Sequence, residues 1–309
     1  MWNITPKSKA YFTCRQCQLV NYIEYMNKDP RKLFQISHGY RYKPVSSQLA
    51  ACIFYSDQDR DIMKNTYGIV INEKHLDDVE MLRQYIRDNL KSSPILVEMD
   101  AYECPWNRGY HLLHQKHFFL VVDYNATENY CIVSDSYCSE QLIHFHFNKL
   151  LEWHGCASVF IHTDDKENLF DERSTYLSIA QQHLQHDYIQ DINMMRYHIL
   201  DRLTEILGEK DGSIPLDSTF YAIQTIAYQK VAYTEYLSLC QDQLGMVNLN
   251  KLKQDYLRMA KKYEELKVLL VKHSIINKID KDAISSKFDQ LIFIEQGITF
   301  CYSQSLNTL

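Results

Sequence analysis

The pattern of the chain changes once, near residues 163–172, where the polar stretch Thr163-Asp-Asp-Lys-Glu-Asn separates two kinds of sequence. Before this stretch, short apolar runs bounded by polar turns are typical of strands. After it, apolar residues recur at helical spacing almost to the last residue. A sheet-forming half followed by a helical half predicts an α+β protein of two domains, residues 1–164 and residues 165–309.

Four helices are predicted in the second half, over residues 172–207, 218–243, 248–273 and 281–302. The third carries an apolar stripe at three- and four-residue spacing, formed by Leu252, Tyr256, Met259, Tyr263, Leu266 and Leu270. A short turn joins the second and third helices, which favours antiparallel packing in a C-terminal helical bundle. Because no catalytic pair stands out there, the bundle is expected to stabilise the first domain or to form a homodimer. The alternative is a lid or wall for a substrate.

Composition and charge exclude several classes of protein. The 309 residues are 46% hydrophobic but contain no long apolar run, so no membrane span is expected. The start of the chain lacks a charged-then-apolar signal pattern, and nine dispersed cysteines, an odd number, fit reduced thiols in a cytoplasm. A formal net charge of −6 argues against a general nucleic-acid binder.

Cys14 stands at a predicted helix start. Thr13 and, three residues later, Gln16 form a capping box, and the apolar residues that follow repeat at helical spacing. In the first turn of a helix, unpaired N–H groups and the helix dipole stabilise negative charge, which favours a thiolate and offers a donor to a developing oxyanion. Cys14 is therefore the predicted nucleophile.

A histidine and an aspartate fall on a predicted hairpin. Apolar runs at residues 117–122 and 130–134 flank a polar turn, and His117 and Asp135 are each nine residues from Ala126. In a symmetric register without a bulge, the two side chains lie opposite each other on one side of the sheet. Asp135 would then orient the imidazole while the other ring nitrogen takes the Cys14 proton, giving a Cys-His-Asp triad.

The order of these segments resembles the papain-like fold, its C39-like branch, and most closely the BtrH N-terminal-domain-like family of butirosin biosynthesis. The segments Cys14-Arg-Gln-Cys-Gln-Leu-Val-Asn21, Asp100-Ala-Tyr102-Glu-Cys-Pro-Trp106, His114-Gln-Lys-His117 and Asp135 carry the resemblance, which spans roughly the first 160 residues. The chain departs from the family pattern where alanine is usual in the cysteine helix and glycine is usual after the histidine strand; Gln18 and Asp123 stand there.

The resemblance implies a cysteine-dependent acyltransferase of natural-product (antibiotic) biosynthesis. Such an enzyme takes an acyl group from the phosphopantetheine thioester of an acyl or peptidyl carrier protein, holds it on Cys14, and passes it to a small amine to form an amide. No cofactor is expected on this chain itself, since the phosphopantetheine belongs to the donor. Because carrier proteins are usually acidic, docking needs a basic patch. The candidates are Lys7, Lys9, Arg15, Arg31, Lys32, Arg41 and Lys43.

Two alternatives remain open, because hydrolysis and acyl transfer use the same nucleophile, base and oxyanion site. One is a C39-like cysteine peptidase or amide hydrolase, in which water resolves the thioester. The other is a catalytically inactive papain-like module that binds a metabolite or a partner. The second donor of the oxyanion hole has no candidate, since no glutamine precedes Cys14.

Several neighbours of the triad carry weaker predictions. Asp100, Tyr102, Trp106 and His114 are candidate pocket residues, with Asp100 either recognising an amine or making an ordinary loop hydrogen bond. Cys17, one turn after Cys14, is expected to pack, with roles as the nucleophile or a resolving thiol as the alternatives. The Cys14/Cys17 and His114/His117 pairs also offer four zinc ligands, but their separation of about a hundred residues argues against a structural zinc site, so no metal is expected.

Overall fold

The computed structural model describes residues 2–7, 12–45, 49, 53–54, 59–112, 114–147, 155–163, 171–203, 218–245, 249–276 and 280–308. The chain forms two compact units, one of Met1–Leu33 with Gln58–Leu169 and the other of Phe34–Asp57 with Phe170–Leu309. Residues 34–57, which the sequence pattern assigns to the first domain, therefore belong to the second unit. The expected division between residues 164 and 165 lies outside the described residues.

The helices are α1 (Cys14–Tyr25), α2 (Asp59–Tyr67), α3 (Val79–Asn89), α4 (Glu172–Gln185), α5 (Tyr188–Asp201), α6 (Ser218–Leu244), α7 (Leu249–Ile276) and α8 (Lys281–Thr308). The strands are β1 (Arg41–Tyr42), β2 (Ile53–Phe54), β3 (Ile69–Leu76), β4 (Ile95–Asp100), β5 (Lys116–Asn125), β6 (Tyr130–Ser134), β7 (Ile143–His146) and β8 (Gly155–His162).

The first unit is built on a six-stranded sheet with the order β3-β8-β4-β5-β6-β7. Every neighbouring pair runs antiparallel, which confirms the predicted α+β class and the antiparallel sheet. One face of the sheet packs with α3 into a buried core that includes Val97, Phe119 and Val133 from three adjacent strands. α1 packs against β5, so the helix with Cys14 and the strand with His117 are neighbours.

Among its described residues, the second unit contains the short β1–β2 pair and the α-helices α4 to α8. One long helix was predicted over residues 172–207, and that prediction is wrong within the described residues. The structure has α4 and α5 instead, because the Asp187 side chain accepts a hydrogen bond from Gln190 N at 2.9 Å and caps a new helix. The predicted end of that helix near residue 208 lies outside the described residues.

The predicted apolar stripe on α7 is confirmed, since all six of its residues are buried. Tyrosines from several elements meet in the same unit and share their hydroxyl groups. Tyr302 donates to Tyr233 at 2.8 Å and lies 3.1 Å from the Tyr256 hydroxyl, which keeps these buried oxygens satisfied. Among the described residues, no helix has an apolar stretch long enough to cross a membrane.

Candidate active site

Cys14 is the first residue of α1, as predicted. The Thr13 side chain accepts a hydrogen bond from Gln16 N at 3.2 Å, and the Gln16 side chain accepts one from Thr13 N at 3.1 Å, so both halves of the capping box are present. The Cys14 side chain is 8% exposed, and its Sγ lies 3.9 Å from the carbonyl oxygen of Lys116 on β5. The thiol therefore sits at a helix start with a narrow opening to solvent.

His117 lies at the start of β5 and is 1% exposed. Its Nε2 atom is 2.6 Å from Oδ2 of Asp135, and the Cys14 thiol is close enough to raise the pKa of the ring. The structure thus brings together the three residues that were predicted as a triad. A further sulfur, Sγ of Cys138, lies 3.9 Å from the same Nε2 atom.

The strand register that led to the triad was predicted incorrectly. Leu120 lies opposite Ser134, two residues further along than a symmetric hairpin about Ala126 would place its partner, and a bulge separates Val121 from Asp123. Asp135 therefore follows the end of β6 rather than standing opposite His117. Because a shift of two residues keeps side chains on the same face of a sheet, the carboxylate still reaches the imidazole.

The Asp135 carboxylate is fully buried and accepts four hydrogen bonds. His117 Nε2 and Trp106 Nε1 approach Oδ2 at 2.6 and 2.7 Å. Tyr137 N and Gln18 Nε2 approach Oδ1 at 3.2 and 3.4 Å. An ionised carboxylate that is buried without hydrogen-bond donors strongly destabilises a fold. These donors therefore stabilise the ionised form of Asp135 inside the protein.

The pair formed by His117 and Asp135 holds opposite charges. Burial lowers the pKa of His117, but hydrogen bonds with Asp135, Cys138 and Cys14 outweigh it and raise the pKa well above its ordinary value. Burial raises the pKa of Asp135, yet the hydrogen bond and charge of His117 outweigh it, so the pKa of the carboxyl lies below its ordinary value. The protonated form of the ring is therefore favoured next to the buried carboxylate.

Two polar residues of α1 complete the buried network, and the sequence analysis did not assign either of them a role. Gln18 contacts Asp135 and also donates to the carbonyl oxygen of Phe118 at 3.2 Å, while Asn21 donates to the Ser136 hydroxyl. With Cys14, they occupy positions i, i+4 and i+7 of one buried helix face. The sequence does contain a signal for Gln18 and Asn21, because both are polar residues at helical spacing from Cys14, on the face of α1 that is buried.

The other predicted neighbours fall in different places. Trp106 orients Asp135, and its ring packs edge-on against Phe119 and Phe145. Cys17 is 2% exposed, with its sulfur 4.0 Å from the Phe12 carbonyl oxygen, so it lies in the core as predicted. Among the described residues, Cys14, Cys17, His114 and His117 do not form a metal-binding cluster.

Asp100, Tyr102 and His114 form a small cluster near the end of β4. The Asp100 carboxylate contacts His114 Nδ1 at 2.8 Å and accepts hydrogen bonds from Tyr102 N and Gln115 N. The His114 ring stacks on Tyr102 with 4.2 Å between the ring centroids. Asp100 therefore makes the loop hydrogen bonds that were one of its two predicted roles, and its recognition of an amine stays a prediction.

A surface cavity of about 320 Å³ adjoins this cluster, at the low end of the range for small-molecule sites. Its lining residues are Glu98, Met99, Asp100, His114, Gln115 and Lys116. Lys116 pairs with Glu98 at 2.8 Å, so the charges of the cavity wall are partly compensated. The carbonyl oxygen of Lys116 is also the group 3.9 Å from the Cys14 sulfur, so one residue of the lining contacts Cys14.

Three of the basic residues predicted to dock a carrier protein are paired with carboxylates. Lys7 contacts Glu24 at 2.9 Å, Arg15 contacts Asp59 at 2.5 Å, and Arg31 contacts Asp29 at 2.7 Å. These pairs reduce the positive potential around α1. Lys9 lies outside the described residues.

Neither models of known protein families nor curated proteins give a match to this chain.

Proposed function

We propose that the chain is a cysteine-dependent acyltransferase that forms an amide, with Cys14 as nucleophile, His117 as acid and base, and Asp135 as the residue that orients His117. The observation that carries the proposal is the position of His117, whose Nε2 lies 2.6 Å from Asp135 Oδ2 on the strand that packs against α1. The residue before it, Lys116, has its carbonyl oxygen 3.9 Å from the Cys14 sulfur. A thiol at a helix start, a base and a buried carboxylate are the parts that covalent acyl transfer requires.

The first half of the reaction would load Cys14. The thiolate attacks the carbonyl carbon of an acyl thioester, with first-turn N–H groups of α1 beside the developing oxyanion. The carrier thiol leaves, taking a proton from the His117 imidazolium, and a thioester on Cys14 remains. One thioester replaces another in this step, so it is close to neutral in free energy.

The second half would release the product. An amine attacks the Cys14 thioester, neutral His117 accepts the proton that the amine loses, and the Cys14 thiolate departs as the amide forms. An amide is more stable than a thioester, so this step drives the reaction forward. Asp135 stays ionised throughout, since its four donors favour the carboxylate form.

Three further features support the more specific parts of the proposal. The packing of α1 on an antiparallel sheet that carries His117 favours the papain-like interpretation of the first unit. Contacts among α6, α7 and α8 favour the helical bundle. All eight cysteines described by the structure are free thiols, which agrees with the expected cytoplasmic location.

The cavity beside Lys116 is the expected place for one of the two substrates, since Lys116 is both one of its lining residues and the residue whose carbonyl oxygen lies 3.9 Å from the Cys14 sulfur. A carrier-bound donor and a small amine are the expected partners. Docking of an acidic carrier protein would need basic residues other than the three that are already paired.

The test is intact-mass detection of an acyl adduct after mixing the protein with simple acyl-phosphopantetheine thioesters. We expect an adduct in the wild type and in Cys156→Ser but none in Cys14→Ala, and faster discharge by added amines than by water. Discharge by water alone would favour the amide hydrolase. An adduct that disappears only in Cys17→Ala would show that Cys17, one helical turn later, is the nucleophile instead of Cys14. No adduct with any donor would favour the inactive binding module.

A further inference from the structure

A third side chain shares the buried pair of His117 and Asp135. One ligand atom from each of His117, Asp135 and Cys138 lies within 4.8 Å of the other two. The His117 Nε2 atom is 2.6 Å from Asp135 Oδ2 and 3.9 Å from Cys138 Sγ. Ligand atoms around a tetrahedral zinc ion stand about 3.5 Å apart, so only small side-chain movements would be needed to admit an ion.

We propose that His117, Asp135 and Cys138 bind one zinc ion, with water as the fourth ligand, and that this ion reversibly blocks the catalytic triad. The binding site stands on the geometry alone, while its effect on acyl transfer rests on the proposed function. Imidazole, thiolate and carboxylate are the three side-chain groups that zinc takes in proteins.

The local chain geometry fits a zinc site. Asp135 and Cys138 are separated by two residues in a tight turn, where Cys138 N and Ser139 N both donate to the Asp135 carbonyl oxygen, at 3.1 and 2.8 Å. Two ligands with this spacing form the local knuckle that zinc sites commonly use. His117 comes from the neighbouring strand, so the sheet holds the third ligand against the turn.

The surroundings also supply the outer contacts that metal ligands need. Trp106 Nε1, Gln18 Nε2 and Tyr137 N donate to the Asp135 carboxylate and would keep it oriented when His117 no longer donates to it. His117 and Asp135 are buried, but Cys138 is partly exposed, so an ion can enter from the Cys138 side.

Zinc would interfere with the triad through the tautomer of His117. Binding releases one proton from the Cys138 thiol and one from His117 Nε2. The neutral ring then carries its remaining proton on Nδ1 and has no free nitrogen left to accept a proton. His117 could not deprotonate Cys14 or an incoming amine while the ion is bound.

A second cysteine–histidine pair in the same unit provides a matched control. Cys156 Sγ lies 3.7 Å from His75 Nδ1, nearly the separation of the first pair. Its nearby carboxylate, Asp77, contacts the other ring nitrogen at 3.6 Å and is exposed, so the three ligand atoms do not converge. If a thiol next to an imidazole were enough to bind the metal, the Cys156–His75 pair would bind it as well as the Cys138–His117 pair.

Titration of metal-free protein with Co²⁺, followed by the thiolate-to-cobalt charge-transfer absorbance, tests the site directly. We expect one Co²⁺ per chain in the wild type, in Cys14→Ser and in Cys156→Ser, displaced by Zn²⁺. Binding should be at least about 100-fold weaker in both Cys138→Ser and Cys138→Ala, with folding checked by circular dichroism. An unchanged band in both Cys138 variants, or a band lost in Cys14→Ser or Cys156→Ser, would overturn the assignment.

The effect on the nucleophile is measured by alkylation of Cys14 with iodoacetamide, a reaction that needs no acyl donor. We expect Zn²⁺ to slow alkylation at least about tenfold in the wild type, but less than about twofold in Cys138→Ser, each compared with its own metal-free rate. If Co²⁺ binds as expected and alkylation is not slowed, the blocking role is wrong. Because neither readout uses acyl transfer, failure of the acyltransferase proposal would be seen separately.

Discussion

Gln18 donates its side-chain amide to Asp135, with 3.4 Å between Nε2 and Oδ1, from a position one turn after Cys14 on the same helix. The same amide nitrogen lies 3.2 Å from the carbonyl oxygen of Phe118, the residue that follows His117. One glutamine thus connects the helix of Cys14 with the Asp135 carboxylate and with the strand of His117. If the proposed function is correct, Gln18 is a positioning residue for His117 and Asp135.

Replacing Gln18 with leucine, which keeps most of the volume and removes the hydrogen bonds, should slow acylation or alkylation of Cys14 about tenfold. The change leaves Oδ1 of Asp135 with Tyr137 N and one donor fewer, so the carboxylate is held less firmly against His117. A purely structural role would lower stability and leave the pH profile of alkylation unchanged. We expect that profile to shift, and Gln18→Glu, which places a second carboxylate there, to shift it further.

Trp106 offers a second test of the buried carboxylate. Trp106→Phe removes the Nε1 donor 2.7 Å from Asp135 but keeps an aromatic ring against Phe119 and Phe145. Loss of a hydrogen bond to a charged group should lower the free energy of unfolding by about 1.5–3 kcal/mol and slow Cys14 alkylation about tenfold.

Trp2 is the control for this change, because its Nε1 donates at 2.7 Å to an uncharged acceptor, the Leu90 carbonyl oxygen. Trp2→Phe should cost about 1 kcal/mol in urea unfolding and leave the alkylation rate of Cys14 unchanged. Equal effects of the two substitutions on alkylation would contradict the positioning role of Trp106.

The local parts of the site were predictable and the strand register was not. The capping box depends on Thr13 and Gln16, two neighbours of Cys14 whose side chains satisfy backbone groups whatever the rest of the chain does. The register depends on the bulge between Val121 and Asp123, and the continuous apolar run of β5 has no alternation to fix it. The prediction of the pair survived because the error was an even number of residues.

Contacts between residues that are far apart in the sequence were also not predicted. Cys138 reaches His117 only because the turn after β6 folds back. The break between α4 and α5 was missed because helical spacing continues through it. Asp187 was the local signal, since its side chain caps the second helix.

The capping box yields a prediction for both stability and reactivity. Thr13→Ala should lower the free energy of unfolding by about 1 kcal/mol and also slow alkylation of Cys14, because the first turn that carries the thiol is no longer fixed. Asp78 caps α3 in the same unit by accepting from Met81 N at 2.8 Å. Asp78→Ala should cost a similar free energy without changing the alkylation rate, and a slowed rate there would mean that the effect of Thr13 is general destabilisation.

A buried lysine in the second unit makes a separate prediction. Lys230 is 2% exposed, and its Nζ donates to the His38 carbonyl oxygen at 2.6 Å. Burial lowers the pKa of Lys230 to about 8, although the charge of Glu295 acts in the opposite direction. Glu295 has a second partner, since its Oε1 lies 2.7 Å from His183 Nε2. The folded unit therefore holds a cation that is more easily deprotonated than in the unfolded chain.

Since the unfolded chain binds more protons than the folded one between pH 8 and the ordinary lysine value, stability should rise with pH in that window. We expect the free energy of unfolding of the wild type, relative to that of Lys230→Met, to increase by about 2 kcal/mol from pH 7.5 to 9.5. The tyrosines are the same in both proteins, so their contribution cancels in the difference. Urea unfolding of both proteins at several pH values measures the difference, and Lys251→Met, on another helix of the same unit, gives the background. Parallel curves for wild type and Lys230→Met would show that the buried ammonium group keeps its ordinary proton affinity.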